Sequence, residues 1–187
     1  SWAGDVYKRQ VFDNLIAERR RRPTEDKNAM WFYNQGVLLE KQGHTEEAIE
    51  KYRQAVELAP GYPMATLNLG AMLPQQGQHS EAFKLFQQLI KIDPNSAQAH
   101  NGMGAALYGM ERIEEAVTHY RNALRIQPEF AGAHYNWGRA LQTLGQRKEA
   151  IKHYRKALQI QPDYIEVHCN WGNILQSQGH LNEAVEH

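Results

Sequence analysis

The sequence predicts an all-α protein in which antiparallel helix pairs stack into a solenoid. The observation behind this is that four kinds of position recur with a period of 34 residues. The repeated glycines are Gly36, Gly70, Gly104, Gly138 and Gly172. The alanines, aromatic residues and prolines with the same period are Ala48, Ala82, Ala116, Ala150 and Ala184, then Tyr52, Phe86, Tyr120 and Tyr154, then Pro60, Pro94, Pro128 and Pro162. A fixed period of this length is typical of solenoids of helical pairs.

The period divides the chain into four complete repeats and a truncated fifth. These repeats cover residues 29–62, 63–96, 97–130, 131–164 and 165–187. Residues 1–10 match nothing later in the chain, and we interpret them as a leader that is not native. The alternative is a genuine but irregular leader.

Residues 11–28 are predicted to form a short amphipathic helix followed by an arginine-rich linker, which is the pattern that a truncated preceding repeat would leave. The apolar residues that share one helical face are Val11, Phe12, Leu15 and Ile16. Residues Arg19 to Arg22 indicate either a contact with an anionic partner or a solvated helix end. The nearby acidic residues Glu18 and Glu25 favour the solvated end.

Each repeat contains signals for a helix, a turn and a second helix. Glycine marks the turn in four copies, because it adopts the positive φ that ends a helix at little cost. These turn glycines are Gly43, Gly77, Gly145 and Gly179. In the third copy Glu111 occupies the same position. A proline ends each complete copy, and Asn95 or Asp163 beside it is predicted to cap the next helix.

The repeated glycines lie in the middle of the first helices, where glycine costs about 1 kcal/mol relative to alanine. A glycine in every copy therefore predicts a close approach of the two helices that a side chain would block. The repeated alanines are expected where the helices cross, and the aromatic residues of the second helix are expected to fill the remaining space. Pro74 is predicted to shorten or kink the first helix of copy two, which makes copies two and three the expected weak point.

The pattern resembles the tetratricopeptide repeat, and residues 29–187 match the spacing of that family at the glycine, alanine, aromatic and proline positions. The resemblance implies a right-handed α-solenoid. Two positions depart from the family. Its tryptophan is replaced by Phe32, Thr66, His100, His134 and His168, and its tyrosine by Leu39, Leu73, Leu107, Leu141 and Leu175.

Charge and composition argue against several other classes of protein. The chain has 21 basic and 21 acidic side chains, whereas a nucleic-acid binder needs a basic surface to displace counterions. Cys169 is the one cysteine, so an intramolecular disulfide is excluded and a reducing, cytoplasmic location is expected. No apolar run approaches the roughly 20 residues of a membrane span, so no membrane partner is expected.

An asparagine series is the candidate binding feature. In the family that the chain resembles, the first helix of each repeat lines the inner, concave groove. An asparagine amide both donates and accepts, so it could pair with the backbone of an extended peptide. The series consists of Asn34, Asn68, Asn136 and Asn170, with Asn101 beside Gly102 in copy three. It resembles the asparagine ladder of O-linked N-acetylglucosamine transferase repeat arrays. The alternative is a purely structural role. The other residues expected in the groove are Tyr33, Leu67, Tyr135, Arg139, Glu166 and Asn173.

Nine histidines invite a metal-site interpretation. Two series, His100, His134 and His168 and then His119, His153 and His187, have the 34-residue period. Equivalent positions of neighbouring repeats are a helical pair apart, at roughly 10 Å per packed helix, which is too far for shared metal ligation. We interpret these histidines as packing residues and predict no metal, no cofactor and no catalytic residue.

The predicted function is therefore a non-catalytic scaffold that binds an extended peptide or partner protein in the concave groove. Related repeats that grip chaperone tails use a clamp of lysines, asparagines and an arginine, and of the matching positions here only Asn68 fits, so that partner is disfavoured. One alternative is a substrate-recruiting arm of a larger enzyme, such as a glycosyltransferase. Another is self-assembly, and self-association through the open apolar face of the truncated fifth repeat is expected.

Overall fold

The computed structural model describes residues 27–177 of the chain. The regular secondary structure of this range is helical, with two helices in each complete repeat and the first helix of the fifth. The α-helices are α1 (27–41), α2 (Thr45–Leu58), α3 (Pro63–Met72), α4 (His79–Ile92), α5 (Ala97–Gly109), α6 (Ile113–Ile126), α7 (Ala131–Thr143), α8 (Arg147–Ile160) and α9 (Ile165–Ser177). The predicted helix-turn-helix repeats are thus confirmed where they are described.

Several sequence predictions lie outside the described residues. They concern the leader, the amphipathic helix and the arginine run before residue 27. They also concern the turn at Gly179 and the second helix of the fifth repeat, with Ala184 and His187.

The turn between the two helices of a repeat has the same geometry in four copies. Gly43, Gly77 and Gly145 adopt positive φ values of 80°, 73° and 75°. In the third copy, which departs from the glycine pattern, Glu111 occupies the turn position and adopts the same conformation with a φ of 62°. The residue after the turn donates its backbone N–H to a carbonyl five residues earlier, as Arg112 does to Leu107 at 3.0 Å. This bond closes the first helix in the manner of a Schellman motif.

The repeated glycines make room for the aromatic ring of the second helix in the same repeat. A Cβ atom added to Gly36 would lie 2.6 Å from the Tyr52 ring, and one added to Gly138 would lie 2.5 Å from the Tyr154 ring. Phe86 and Tyr120 have the same relation to Gly70 and Gly104. The four rings are at most 2% exposed. The predicted close approach is confirmed, and its physical basis is a ring that packs directly on the helix backbone.

Two predictions about helix ends have different outcomes. The shortening at Pro74 is confirmed, because α3 ends at Met72 and a 3-10 helix, Leu73–Gln76, replaces its last turn. The capping prediction for Asn95 is wrong. The N-cap of α5 is Ser96, whose hydroxyl accepts the N–H of Ala99 at 3.2 Å.

The same correction applies to the other proposed cap, Asp163. Helix α9 begins at Ile165, two residues after Asp163, so Asp163 does not occupy the capping position. In the turn before α5, Asp93, which directly follows α4, accepts the backbone N–H of Asn95 at 3.0 Å. Asn95 is therefore held within the turn, and the helix starts two residues further on.

The chain divides into two compact units between Leu69 and Gly70. In the first unit the buried residues include Ala48, Tyr52 and Ala55 of α2. In the second unit one buried cluster joins α7, α8 and α9 through Leu141, Ala150, Tyr154, Ala157, Val167 and Ile174. None of the helices between residues 27 and 177 is long and apolar enough to cross a bilayer.

Candidate functional site

A polar pocket of about 400 Å³ lies on the first helices of the second unit. Its lining comes from α5, α7 and α9 and consists of Tyr108, Arg139, Gln142, Thr143 and Asn170. Two of these residues, Arg139 and Asn170, were predicted to line a binding groove. Every lining residue belongs to the first helix of its repeat. We call this site the α5–α7–α9 pocket.

Sequence reasoning missed three of the lining residues. Gln142 and Thr143 follow Arg139 by three and four residues, so they share its face of α7. That helical spacing was the signal that could have identified them. Tyr108 could have been found in the same way, because it precedes Thr143 by about one repeat.

Arg139 contacts two tyrosine rings in this pocket. Its guanidinium carbon lies 4.8 Å from the centroid of the Tyr108 ring and 5.6 Å from that of Tyr135. Both distances are within the range of a cation–π interaction. None of the acidic side chains in the described range forms a salt bridge with Arg139. The positive charge is thus stabilised by aromatic rings.

Hydrogen bonds between residues 35 positions apart join successive first helices. Asn136 donates its Nδ2 to Asn101 Oδ1 at 3.0 Å, and Asn170 donates its Nδ2 to Tyr135 Oη at 3.1 Å. Tyr108 and Thr143 are joined at 2.9 Å. We call these three bonds the cross-links. They bring Asn101, Tyr135, Asn136 and Asn170 together on α5, α7 and α9.

The direction of the third cross-link follows from the bonds of Thr143. Its hydroxyl donates to the carbonyl of Arg139 at 3.2 Å, so it can only accept from Tyr108. The donor of this bond is therefore the phenol of Tyr108.

Asn136 and Asn170 each use one amide N–H in their cross-links and keep the rest of the amide group available. Within residues 27–177 the Oδ1 atoms of Asn136 and Asn170 accept no hydrogen bond. An amide offers two donors and an oxygen with two lone pairs. The asparagines thus hold neighbouring helices together and retain an acceptor and a donor for another molecule.

In the first unit two of the predicted groove residues, Asn68 and Tyr33, lie next to Tyr52. Asn68 donates its Nδ2 to Tyr52 Oη at 3.1 Å, and Tyr52 donates to Glu40. Burial, followed by the bond to Glu40, raises the pKa of Tyr52. The ring of Tyr33 lies 5.8 Å from that of Tyr52, centroid to centroid. Leu67 is half-buried, and Asn34 is exposed.

The last two predicted groove residues, Glu166 and Asn173, are exposed on α9. Neither lines the α5–α7–α9 pocket. Burial raises the pKa of Tyr135 and Tyr164, and the negative charge of Glu166 adds to both effects. Glu166 therefore contributes a negative potential next to the pocket.

In repeat three, and again in repeat four, a pair of histidines joins the two helices of the repeat. Sequence reasoning missed both pairs. His100 Nδ1 lies 3.1 Å from His119 Nδ1, and His134 Nδ1 lies 3.0 Å from His153 Nδ1. The comparison of equivalent positions, 34 residues apart, could not detect pairs separated by 19 residues. Within the described range no group of three or more histidine, cysteine, aspartate or glutamate residues could hold a metal ion.

The protonation state of the second pair follows from its partners. His134 Nε2 lies 3.1 Å from the Pro128 carbonyl, which only accepts, so Nε2 carries a proton. In the neutral ring Nδ1 is then an acceptor, and His153 donates to it. Burial lowers the pKa of His134, and burial with the nearby His134 charge lowers the pKa of His153 to about 4.

A second pocket of about 390 Å³ lies among α6, α7 and α8, and its lining residues include Arg121, Trp137 and His153. The guanidinium carbon of Arg121 lies 5.9 Å from the centroid of the Trp137 ring. This pocket thus has an arginine over an aromatic ring, as the α5–α7–α9 pocket has.

Comparison with solved structures shows the same fold in other proteins. Protein TTC0263, a thermophilic TPR protein of Thermus thermophilus, is 22% identical with a TM-score of 0.77, over 84% of this chain and 87% of that chain. PilF of Pseudomonas aeruginosa is 21% identical with a TM-score of 0.72, over 87% and 74% of the two chains. The first TPR of Spaghetti (RPAP3), bound to the HSP90 peptide SRMEEVD, is 22% identical with a TM-score of 0.59, over 64% and 95%.

Comparison with curated protein sequences gives no match. Family models, in contrast, cover most of the chain. A model described as tetratricopeptide repeat matches residues 12–97, and one described as TPR repeat matches residues 110–145 and 138–179. Together with the repeated turns and the glycine–aromatic packing, these matches show that the chain belongs to the tetratricopeptide repeat family.

Proposed function

We propose that this chain is a non-catalytic protein-interaction module that binds an extended segment of a partner protein along the first helices of its repeats. The observation that carries the proposal is the α5–α7–α9 pocket, to which only first helices contribute. Asn170 lines it and has an amide oxygen without a partner in the described range. Asn136 presents the same unfilled acceptor one repeat earlier.

An extended peptide suits these groups because its backbone offers N–H donors and carbonyl acceptors at regular intervals. Recognition of the backbone needs no particular side chain on the partner. The Spaghetti repeat domain, which has this fold, holds a peptide in its solved structure. That structure supports the general mode of binding.

A peptide-array screen with the whole 187-residue chain tests the proposal. The informative variant combines Asn68→Ala, Asn136→Ala and Asn170→Ala. Each lost hydrogen bond should weaken binding roughly two- to ten-fold, since one such bond contributes about 0.5–1.5 kcal/mol. The parent is expected to bind a subset of extended peptides, and the triple variant is expected to lose them.

The matched control is Asn122→Ala, which removes an asparagine amide from a second helix, α6. It should leave peptide binding unchanged. Circular dichroism of each variant distinguishes lost binding from lost structure. Binding that survives the triple substitution in a folded chain, or a parent that binds no peptide, contradicts the proposal.

A further inference from the structure

We infer that the α5–α7–α9 pocket is a subsite for a carboxylate, and that the partner segment places an aspartate or glutamate side chain against Arg139. The inference rests on the proposed function and specifies the chemistry of its ligand. Arg139 is the one basic residue that lines this pocket, and the others there are neutral.

Arg139 has no acidic partner among the residues that the structure describes, whereas Arg112, Lys152 and Lys156 each have one. Arg112 donates two hydrogen bonds of 2.7 Å to Glu115, and Lys152 lies 2.7 Å from Glu149. None of the five N–H groups of Arg139 donates to an acceptor between residues 27 and 177. The tyrosine rings attract the charge but supply no strong acceptor. An ionised acceptor from outside the chain would complete the site.

The guanidinium is already held in position by the residues around it. Tyr108 is fixed by its cross-link to Thr143, and Tyr135 is fixed by its cross-link to Asn170. Arg139 packs on both rings. A side chain that is ordered before the ligand arrives loses less conformational entropy on binding. The cross-links therefore prepare the arginine for a ligand.

The neutral residues of the pocket add donors that suit an anion. Gln142 accepts from Tyr154 Oη at 2.8 Å through its oxygen, which leaves its amide nitrogen as a donor toward the pocket surroundings. Asn170 retains one amide N–H. These donors, together with the planar fork of arginine, match the two oxygens of a carboxylate.

The charge of the site favours a singly charged group over a phosphate. A phosphorylated side chain carries close to two negative charges at neutral pH. The pocket offers one positive charge, and Glu166 nearby adds a negative potential. A carboxylate therefore balances the charge of Arg139, and a phosphate would exceed it.

Matched peptide pairs test this inference on the whole chain. Peptides that the parent binds in the array are synthesised with each glutamate or aspartate replaced by glutamine or asparagine, and with phosphoserine in the same place. Fluorescence anisotropy then gives the affinity of each. At one acidic position of the peptide, the neutral replacement should weaken binding on the order of ten-fold, because it removes a hydrogen bond between two charged groups, the carboxylate and Arg139. In Arg139→Gln this difference should disappear.

The control variant is Arg121→Gln, which removes the arginine that lies over Trp137 in the other pocket. It should keep the full preference for the acidic peptide. Arg139→Lys keeps the charge and loses the fork, and it should retain part of the preference. Thermal unfolding followed by circular dichroism verifies that the variants fold.

The outcomes separate the inference from the proposed function. Peptides that bind equally well in their acidic and neutral forms overturn the carboxylate subsite and leave the proposed function standing. A preference that survives Arg139→Gln, or is lost in Arg121→Gln, also overturns it. Stronger binding of phosphoserine, abolished by Arg139→Gln, overturns the assignment of a carboxylate. Absence of any peptide binding overturns both.

Discussion

At the scale of single residues, the repeat depends on the absence of a side chain at one position. The backbone of the first helix carries glycine where the aromatic ring of the second helix packs. The ring is thereby almost completely buried. The polar end of the ring is also used, because Tyr154 donates to Gln142 and Tyr52 donates to Glu40.

Gly138→Ala should destabilise the fold although alanine is the better helix former. The new Cβ would lie 2.5 Å from the buried Tyr154 ring, so the ring or the helix must shift. Overpacking of this kind costs about 1–3 kcal/mol, which exceeds the gain of about 1 kcal/mol in helix propensity. Urea unfolding measures the change.

Gly132→Ala is the control for that substitution on the same helix, α7. Its Cβ would lie 3.3 Å from the edge of the Phe130 ring and near no other group. Its free energy of unfolding should change little. Equal losses in both variants would contradict the account of the glycine positions.

The histidine pairs predict a loss of stability in mild acid. Histidine in an unfolded chain titrates near pH 6.5, whereas the pKa of folded His153 is lowered to about 4. Between these values the unfolded chain binds more protons, so the free energy of unfolding should fall as the pH falls from 7 to 5. For the half-buried pair the loss should be on the order of 1 kcal/mol.

The double variant His134→Phe with His153→Phe tests this origin of the pH dependence. It removes both titrating rings and keeps an aromatic pair between α7 and α8. Its stability should vary less with pH than that of the parent. His44→Gln, at an exposed histidine paired with Glu47, should retain the parent slope. A double variant with an unchanged slope would show that the pair is not responsible.

At the scale of the helix pair, the turn between the helices is set by one residue with positive φ. Three copies use glycine and the third uses Glu111. A side chain in this conformation costs about 1–2 kcal/mol because its Cβ crowds the following carbonyl. The neighbouring hydrogen bonds hold Glu111 there, including its N–H bond to the Tyr108 carbonyl at 3.0 Å.

Glu111→Gly should therefore stabilise the chain, by about 0.5–1 kcal/mol once the added freedom of glycine in the unfolded chain is subtracted. The converse change, Gly145→Glu, should destabilise it by a similar amount. A Cβ at Gly145 would meet nothing within 4 Å, so the second effect would be conformational. Thermal and urea unfolding of both variants measure the changes, and the same sign in both would contradict this interpretation.

At the scale of the whole molecule, the balance of charge bears on which partners are expected. The chain contains 21 basic and 21 acidic side chains. Binding of nucleic acid relies on the release of counterions by an excess of basic residues. Binding of a peptide by asparagine amides and one arginine does not require an excess of basic residues.

We accordingly expect no measurable binding of a short DNA or RNA duplex at physiological salt. Electrophoretic mobility shift across a protein titration checks this. The same titration at low ionic strength serves as the control, because weak electrostatic binding is detected most easily when little salt is present. Saturable binding that weakens steeply with added salt would contradict the expectation.

Sequence reasoning predicted most of the fold and part of the site. The period located every described helix pair and the unusual turn at Glu111, because the same packing recurs in each copy. It did not reveal the histidine pairs, since these join different positions of one repeat. It predicted that Arg139 lines a groove, and it did not reveal that the Arg139 guanidinium packs on Tyr108 and Tyr135, because that arrangement depends on how neighbouring repeats pack.

The cross-links have a consequence for how such an array can change in length. The sequence repeats every 34 residues, but the cross-links join residues 35 apart. The bonds of Asn136 and Asn170 run from a donor in the later copy to an acceptor in the earlier one, and the bond from Tyr108 to Thr143 runs the other way. Duplication of residues 131–164 repeats both Tyr135 as an acceptor and Asn136 as a donor, so the asparagine bonds stay complete. Gene rearrangement can therefore lengthen the array by copies of this repeat and preserve the asparagine bonds between its first helices.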